Sequence, residues 1–157
     1  MNKIKFAQRS SVEFVEEGNN LAPKFNSEDV IPVVVTETKS GLVLMLGYMN
    51  KEALEKTILT KEAHYWSRSR KALWKKGESS GMVHKIDEIL IDDDQDSIWL
   101  KVTIGGLGAS CHVGYKSCFY RSVDSIEKDE VILNFTESEK VFDPEEVYPG
   151  IENPTKL

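Results

Sequence analysis

Asp92, Asp94 and Asp96 recur at every second position, and Cys111-His112 and Cys118 follow soon after. Carboxylate oxygens select Mg²⁺, Mn²⁺ or Ca²⁺, whereas thiolates select Zn²⁺. The stretch holds both cysteines of the chain and one of its three histidines. It reads as a single hairpin in which hard and soft ligands come together, an arrangement suited to metal-assisted chemistry. In an extended run the period-two spacing puts the three aspartates on one face. Their repulsion there calls for a cation, although a solvated acidic turn is the plainer reading. A calcium EF-hand loop is excluded: counting from Asp92, Ser97 stands at the glycine position and Thr103 at the bidentate-glutamate position. Cys111 and Cys118 are too far apart in sequence for a C-x-x-C zinc knuckle. The glycines, serine and charged residues around them favour an accessible turn over a core. Beside a candidate metal thiolate, His112 reads as a ligand or a proton-transfer group, with a satisfied structural histidine as the alternative.

A second constellation is basic. Arg68, Arg70, Lys71, Lys75 and Lys76 carry no carboxylate among them, and Lys76-Gly77-Glu78-Ser79-Ser80-Gly81 follows at once. Hydroxyls and flexible backbone N–H groups there suit phosphate oxygens. A solvated helix face is the bland reading, and the order required of a Walker loop is absent. Trp74 reads equally well as a base-stacking platform or as core, and His64 beside Tyr65-Trp66 as structural.

The elements that must hold these groups follow from periodicity. A short helix is expected over Val12–Glu17, and β-branched Ile31–Thr36 reads as a strand with Pro32 near its start. Lys39-Ser40-Gly41 turns the chain into a second strand over Leu42–Tyr48, whose near-continuous apolar character predicts burial on both faces. Asn50 caps a helix over Lys51–Leu59, and Thr60 is expected to cap one more turn. Ser67–Lys76 reads as a short helix or turn, followed by an open loop to Gly81. Val83–Leu90, Ile98–Ile104 and finally Val131–Phe135 read as strands. The sum is an α+β fold, a small mixed domain of β-hairpins with one or two short helices. The catalytic domain is expected over residues 1–135, with a peripheral, partly disordered tail over 136–157.

The totals narrow the function class. At 157 residues the chain forms one domain able to bury a core. Its net charge of −6 argues against nucleic acid or an anionic membrane as the main partner. There is no secretory signal and no spanning apolar run, so a cytoplasmic location is expected. Two cysteines in that setting read as thiols or metal ligands, not as a disulfide.

Ser67-Arg68-Ser69-Arg70, Leu73–Gly81, the Asp-x-Asp-x-Asp run and Cys111-His112-x-Gly-x-x-Ser117-Cys118-Phe119-Tyr120-Arg121 together resemble phosphoribosyl-AMP cyclohydrolase, from about Val33 to Arg121. The resemblance implies the third step of histidine biosynthesis: hydrolytic opening of the adenine ring of phosphoribosyl-AMP between N1 and C6. It also implies an intertwined homodimer with Zn²⁺ at the subunit boundary, held by cysteines of both chains, and Mg²⁺ on the aspartates. Carried onto this chain, Cys111 and Cys118 go to zinc, and Asp92, Asp94 and Asp96 to magnesium. Asp93 stands where the family's first ligand cysteine is usual and becomes a candidate third zinc ligand. Met82 stands where His or Asn is common. His112 is the first candidate for proton transfer and His84 the second. Arg68, Arg70, Trp74, Lys76, Glu78, Ser79, Ser80 and Gly81 are the candidate substrate contacts, with the phosphates on the basic residues. Two rival readings stand beside this one: a non-catalytic descendant that binds a metal or nucleotide, and a structural zinc module.

Overall fold

The computed structural model describes residues 3–157. Its centre is a four-stranded sheet in the order β2-β1-β6-β5, where β1 is Ile31–Glu37, β2 Val43–Met49, β5 His84–Ile91 and β6 Ile98–Ile104. β1 and β6 run parallel, and the two outer pairings are antiparallel. One face is buried because alternate side chains point into it: Ile31, Val33 and Val35 from β1, and Ile98, Leu100 and Val102 from β6. Helix α2 (Lys51–Thr60) closes over that face with Ala53 and Leu54, and Tyr65 completes the cluster. The opposite face is open, leaving Leu46 and Trp99 exposed on either side of half-buried Val34, with which both are in register. The mixed α+β class with hairpins is as the sequence indicates.

Four local readings change. β2 is not buried on both faces; a bulge pairs Val35 with Met45 and Thr36 with Val43, so Leu44 and Met45 both turn inward while Leu46 faces out. Thr60 starts no further turn. Its hydroxyl bonds back to the Lys56 carbonyl, and Lys61 ends α2 in the left-handed conformation. Of the two readings of Ser67–Lys76, the turn holds at 68–71 and the helix does not: β3 (His64–Ser67) pairs with β4 (Ala72–Lys75) as a hairpin. Its cross-strand pair Tyr65–Trp74 packs with ring centroids 5.1 Å apart, which outweighs local preference. The final strand, β8 (Glu130–Phe135), has an unanticipated partner in β7 (Arg121–Glu127). Lys128 and Asp129, both at positive φ, form the two-residue turn between them.

The short helix α1 (Val12–Glu17) is present, capped by Ser11. Beyond β8 the tail forms one turn of helix, α3 (Pro144–Val147), capped by Asp143. Phe142 is buried against Met82 and Ala109, so this part of the tail is packed and not free. Among the described residues no helix is long and apolar enough to cross a membrane.

Candidate active site at two ends of one sheet

The acidic run and the thiols do not share a hairpin. Residues 92–97 link β5 to β6 at one end of the strands, and the cysteines lie in the loop that leaves β6 at the other. Seven residues of strand separate the two ends, about 20 Å at 3.3 Å per residue. Asp93 is therefore remote from Cys111 and Cys118 of its own chain.

At the acidic end the chain is a tight turn and not an extended run. Asp92 Oδ1 accepts from the backbone N–H groups of Asp96 and Ser97 at 2.9 and 3.0 Å, and Oδ2 from the Ser97 hydroxyl. The turn still gathers Asp92, Asp94 and Asp96, which offer ligand atoms all within 4.8 Å of one another. Burial pushes the Asp92 carboxyl up, but the bonds from Ser97 and Asp96 outweigh it and hold it below the usual range. Asp96 moves the opposite way, raised by its hydrogen bond with Asp92, slight burial and the charge of Asp94. Three crowded oxygen donors fit a hard cation.

Gln95 holds this turn. Its φ is +56°, and its side chain is buried. Its Oε1 accepts from Ala22 N–H at 2.7 Å, and its Nε2 donates to the Val15 and Asn20 carbonyls. Arg9 bridges the carbonyls of Ala22 and Asp94. The segment before β1 thus clasps the acidic turn from outside.

The opposite end gathers Cys111, Cys118, Lys76 and His84. Interaction with the neighbouring Cys118 thiol, the Val113 N–H and the Lys76 charge hold the Cys111 thiol down to about 6, against burial and the charge of Glu137. Cys118 presents an exposed flank, yet interaction with Cys111 first, and then the crowding of its sulfur by neighbouring atoms, raise its pKa. A soft cation takes such thiols as thiolates, and the lowered pKa of Cys111 favours that proton loss. Two adjacent sulfurs and a cationic neighbour fit part of a zinc site. The Lys76 ammonium donates to the Ser110 carbonyl at 2.5 Å; burial lowers its pKa while the two thiols pull it back up. His84 is fully buried between Tyr65 Oη at 3.1 Å and Ser110 Oγ at 3.2 Å. Burial first, then Lys76, lower it to about 3, so it is neutral. Burial raises the Tyr65 phenol, and the neighbouring Cys118 adds to the effect.

His112 is half-buried near this end, with Nε2 3.5 Å from Thr155 Oγ1. Burial lowers its pKa, opposed by a bond with Asn153. Gly114 sits at φ +112°, and a Cβ there would collide with a tail carbonyl, that of Phe142. No other residue fits there.

The basic groups divide between the two ends. The Arg68 guanidinium lies 3.8 Å over the Tyr48 ring, near the end of β2 on the acidic side, and Arg70 leans on Ser67 Oγ. Lys76 and the loop Gly77–Gly81 lie on the thiol side. Gly77, at φ +83°, lets that loop double back, since a Cβ would run into the Met82 and Val83 backbone. Glu78 and Ser79 are exposed, Ser80 Oγ accepts from Met82 N–H, and Gly81 faces open space. Trp74 is half-buried against the core, its ring 5.5 Å from Lys76 Nζ.

Residues 45–120 match the family model described as phosphoribosyl-AMP cyclohydrolase. The protein of that name from Rhodopseudomonas palustris strain HaA2 is 50% identical over 142 residues, covering 90% of this chain and 95% of the relative. The chain belongs to the phosphoribosyl-AMP cyclohydrolase family. A relative of that name from Rhizobium rhizogenes is 45% identical over 148 residues, 94% and 99% of the two chains. That from Nitrobacter hamburgensis is 46% identical over 139 residues, 88% and 93%. The block matched by the cyclohydrolase model contains every candidate ligand and substrate contact named from sequence. The segments that clasp the two ends lie before and after it, and they act both through backbone atoms, as Ala22 does on Gln95, and through the side chains of Arg9 and Glu137. Tyr65, Gln95, Ser110 and Glu137 are the residues that sequence reasoning missed. Tyr65, Gln95 and Ser110 sit beside residues with a clear signal, whereas Glu137 has none near it.

Proposed function

We propose that the protein hydrolyses phosphoribosyl-AMP, opening its adenine ring between N1 and C6 in histidine biosynthesis. The observation that carries this reading is the cluster of Cys111, Cys118, Lys76 and His84 at one end of the sheet, in a chain about half identical to cyclohydrolases over nearly its whole length. Cys111 and Cys118 would hold Zn²⁺, and Asp92, Asp94 and Asp96 Mg²⁺. When bound, such a cation lowers the pKa of water and polarises the centre it attacks. In the balanced reaction the water oxygen bonds to C6, the C6–N1 bond breaks, one water proton ends on N1, and the other ends on the exocyclic nitrogen, leaving a carboxamide. His112, half-buried near the thiols, is our choice of group to move that proton. Neutral His84 has both ring nitrogens engaged and holds the Ser110 hydroxyl, next to Cys111, in place. Arg68 and Arg70 at one end of the β3–β4 hairpin, and Lys76 to Gly81 at the other, suit two separate phosphates. Trp74 would flank the base.

Two thiols are too few for a closed zinc site, and Asp93 lies at the far end. A homodimer in which Asp93 of one copy meets Cys111 and Cys118 of another resolves this. The β7–β8 ribbon supports self-association: Val123, Ile126, Val131, Leu133 and Phe135 are all exposed on it. A two-stranded hairpin so exposed is marginal alone and calls for a partner surface. The cytoplasm is the compartment we propose. The test is incubation of the purified protein with phosphoribosyl-AMP, following product absorbance with and without chelator. Turnover lost to chelator and restored by Zn²⁺ with Mg²⁺ supports the reading. No turnover with both metals present returns the protein to a non-catalytic binding role.

A further inference from the structure

The thiol loop is fastened by a carboxylate from outside the block that matches the family model. Glu137 follows β8 by two positions. Its Oε1 accepts from the Lys116 N–H at 2.8 Å and its Oε2 from the Ser117 N–H at 2.9 Å. These two successive amides immediately precede Cys118. A carboxylate accepting two backbone N–H groups makes charge-assisted bonds, stronger than neutral ones. The rest of the loop is arranged around this grip. Ser110 and Cys111 N–H groups donate to the Lys116 and Tyr115 carbonyls, so the two sides of a small hairpin between the cysteines are tied together. Ser117 Oγ donates to the Val43 carbonyl, and Cys118 N–H to that of Leu44, which ties the far side to β2. Lys116 Nζ pairs with Glu37 at 2.8 Å.

The position of Glu137 is itself fixed. Thr136 N–H donates to the Tyr120 carbonyl at 2.8 Å, which sets the register of the chain leaving the ribbon. Tyr115, Tyr120 and Phe135 stack at the ribbon's base, with Tyr115 and Tyr120 centroids 4.1 Å apart. Farther on, the Val141 N–H reaches the Gly114 carbonyl at 2.7 Å, and Phe142 closes over Met82 and Ala109. The tail thus crosses the loop at its tip and again beside Cys118, where Glu137 supplies the grip.

We infer that Glu137 is a positioning residue that sets the spacing of Cys111 and Cys118 by clamping the Lys116 and Ser117 amides, so that the pair is preorganised for a soft cation. The metal part of this inference rests on the proposed zinc role of the thiols; the clamp itself does not. Removing a group that orients metal ligands costs roughly 10- to 100-fold in metal affinity.

The test uses the full chain as wild type, Glu137→Gln, Glu137→Ala and, as a control for tail charge, Glu139→Ala. In metal-free protein the rate of maleimide labelling at buried Cys111 is measured by mass spectrometry, with the Cys118 peptide read separately. Loss of the clamp lets the loop open locally, so Glu137→Ala is expected to label about 10-fold faster. Both Glu137 variants lose the charge that raises the two thiols, so the clamp is read from the gap between them. Glu137→Gln, which keeps one acceptor oxygen, should label more slowly than Glu137→Ala, and Glu139→Ala should match wild type. In parallel, Co²⁺ is titrated and followed by its thiolate charge-transfer band. An affinity roughly 10- to 100-fold weaker for Glu137→Ala is expected, with Glu137→Gln partway. Unchanged labelling in a folded Glu137→Ala overturns the clamp. Faster labelling with unchanged Co²⁺ affinity overturns preorganisation. If wild type takes up no Co²⁺, the metal reading of the thiols fails, while labelling still decides the clamp. Should Glu137→Ala not fold, the difference between Glu137→Gln and Glu139→Ala carries the decision.

Discussion

The acidic end and the thiol end are built by opposite means. At the acidic end a neutral side chain, Gln95, and the chain before β1 hold three exposed or half-exposed carboxylates in a turn, and Arg9, the charged group of that clasp, reaches the Ala22 and Asp94 carbonyls. At the thiol end charged or titratable groups do the holding: Lys76 on the Ser110 carbonyl, His84 on the Ser110 hydroxyl, and Glu137 on two amides. The difference follows from the ligands. Carboxylates already carry charge, so the scaffold need only crowd them. Thiols must lose a proton to bind a metal, and a buried cation nearby favours that loss. The candidate ligands lie within the block of the chain that matches the family model, whereas Gln95's backbone partners and Glu137 come from segments outside it.

The largest effects are expected when one ligand is removed from each end. Cys111→Ser should abolish both Zn²⁺ uptake and turnover. Asp94→Asn should abolish the Mg²⁺ dependence and most turnover while Zn²⁺ content, measured by metal analysis, stays intact. Zinc loss in Asp94→Asn would show that the two ends are not separable. A smaller effect is expected from Gln95→Leu, which leaves the Ala22 N–H and the Val15 and Asn20 carbonyls without their side-chain partner. Each such orphan costs on the order of 1–3 kcal/mol. Urea unfolding should show the loss, with Cys111 labelling in native buffer unchanged. Accelerated labelling would mean that the two ends are coupled through the sheet.

The smallest expected effect is one of pH. His84 is held down from 6.5 to about 3 by burial, so the stability that its neutral form contributes is fully present above about 6.5 and lost as pH falls toward 3. His84→Gln, which cannot take up that proton, should flatten the acid limb of a urea-stability profile of the metal-free protein. An unchanged limb would place the acid sensitivity in the carboxylates instead.

The sequence is readable wherever a residue's chemistry is local. The strands β1 and β6, the Asn50-capped helix α2 and the ligand types all announce themselves by pattern. The three aspartates of the acidic run are brought together as their spacing indicates, but in a turn and not an extended run, because Gln95 takes its positive φ only when Ala22, Val15 and Asn20 satisfy its amide. β7 is hidden because Arg121–Glu127 has no apolar run; its strand state depends on pairing with β8. Glu137 is hidden for the same kind of reason: its partners lie 20 residues or more away and are backbone atoms. Placing the two ligand sets in one hairpin fails because sequence distance across a strand such as β6 is nearly all end-to-end length.

The distance between those ends leads to a direct test of the proposed assembly, in which one working site takes its thiols from one copy and its acidic turn from another. Cys118→Ser and Asp94→Asn are each purified as inactive protein, then mixed, dissociated in mild denaturant and reassociated. In a hybrid dimer the intact thiols of one chain meet the intact aspartates of the other, so one of the two sites is whole. Random reassociation makes about half the dimers hybrid, and about a quarter of wild-type turnover should return. If the mixture stays as inactive as either variant alone while forming hybrids, each site is built within a single chain and the shared-site assembly is refuted.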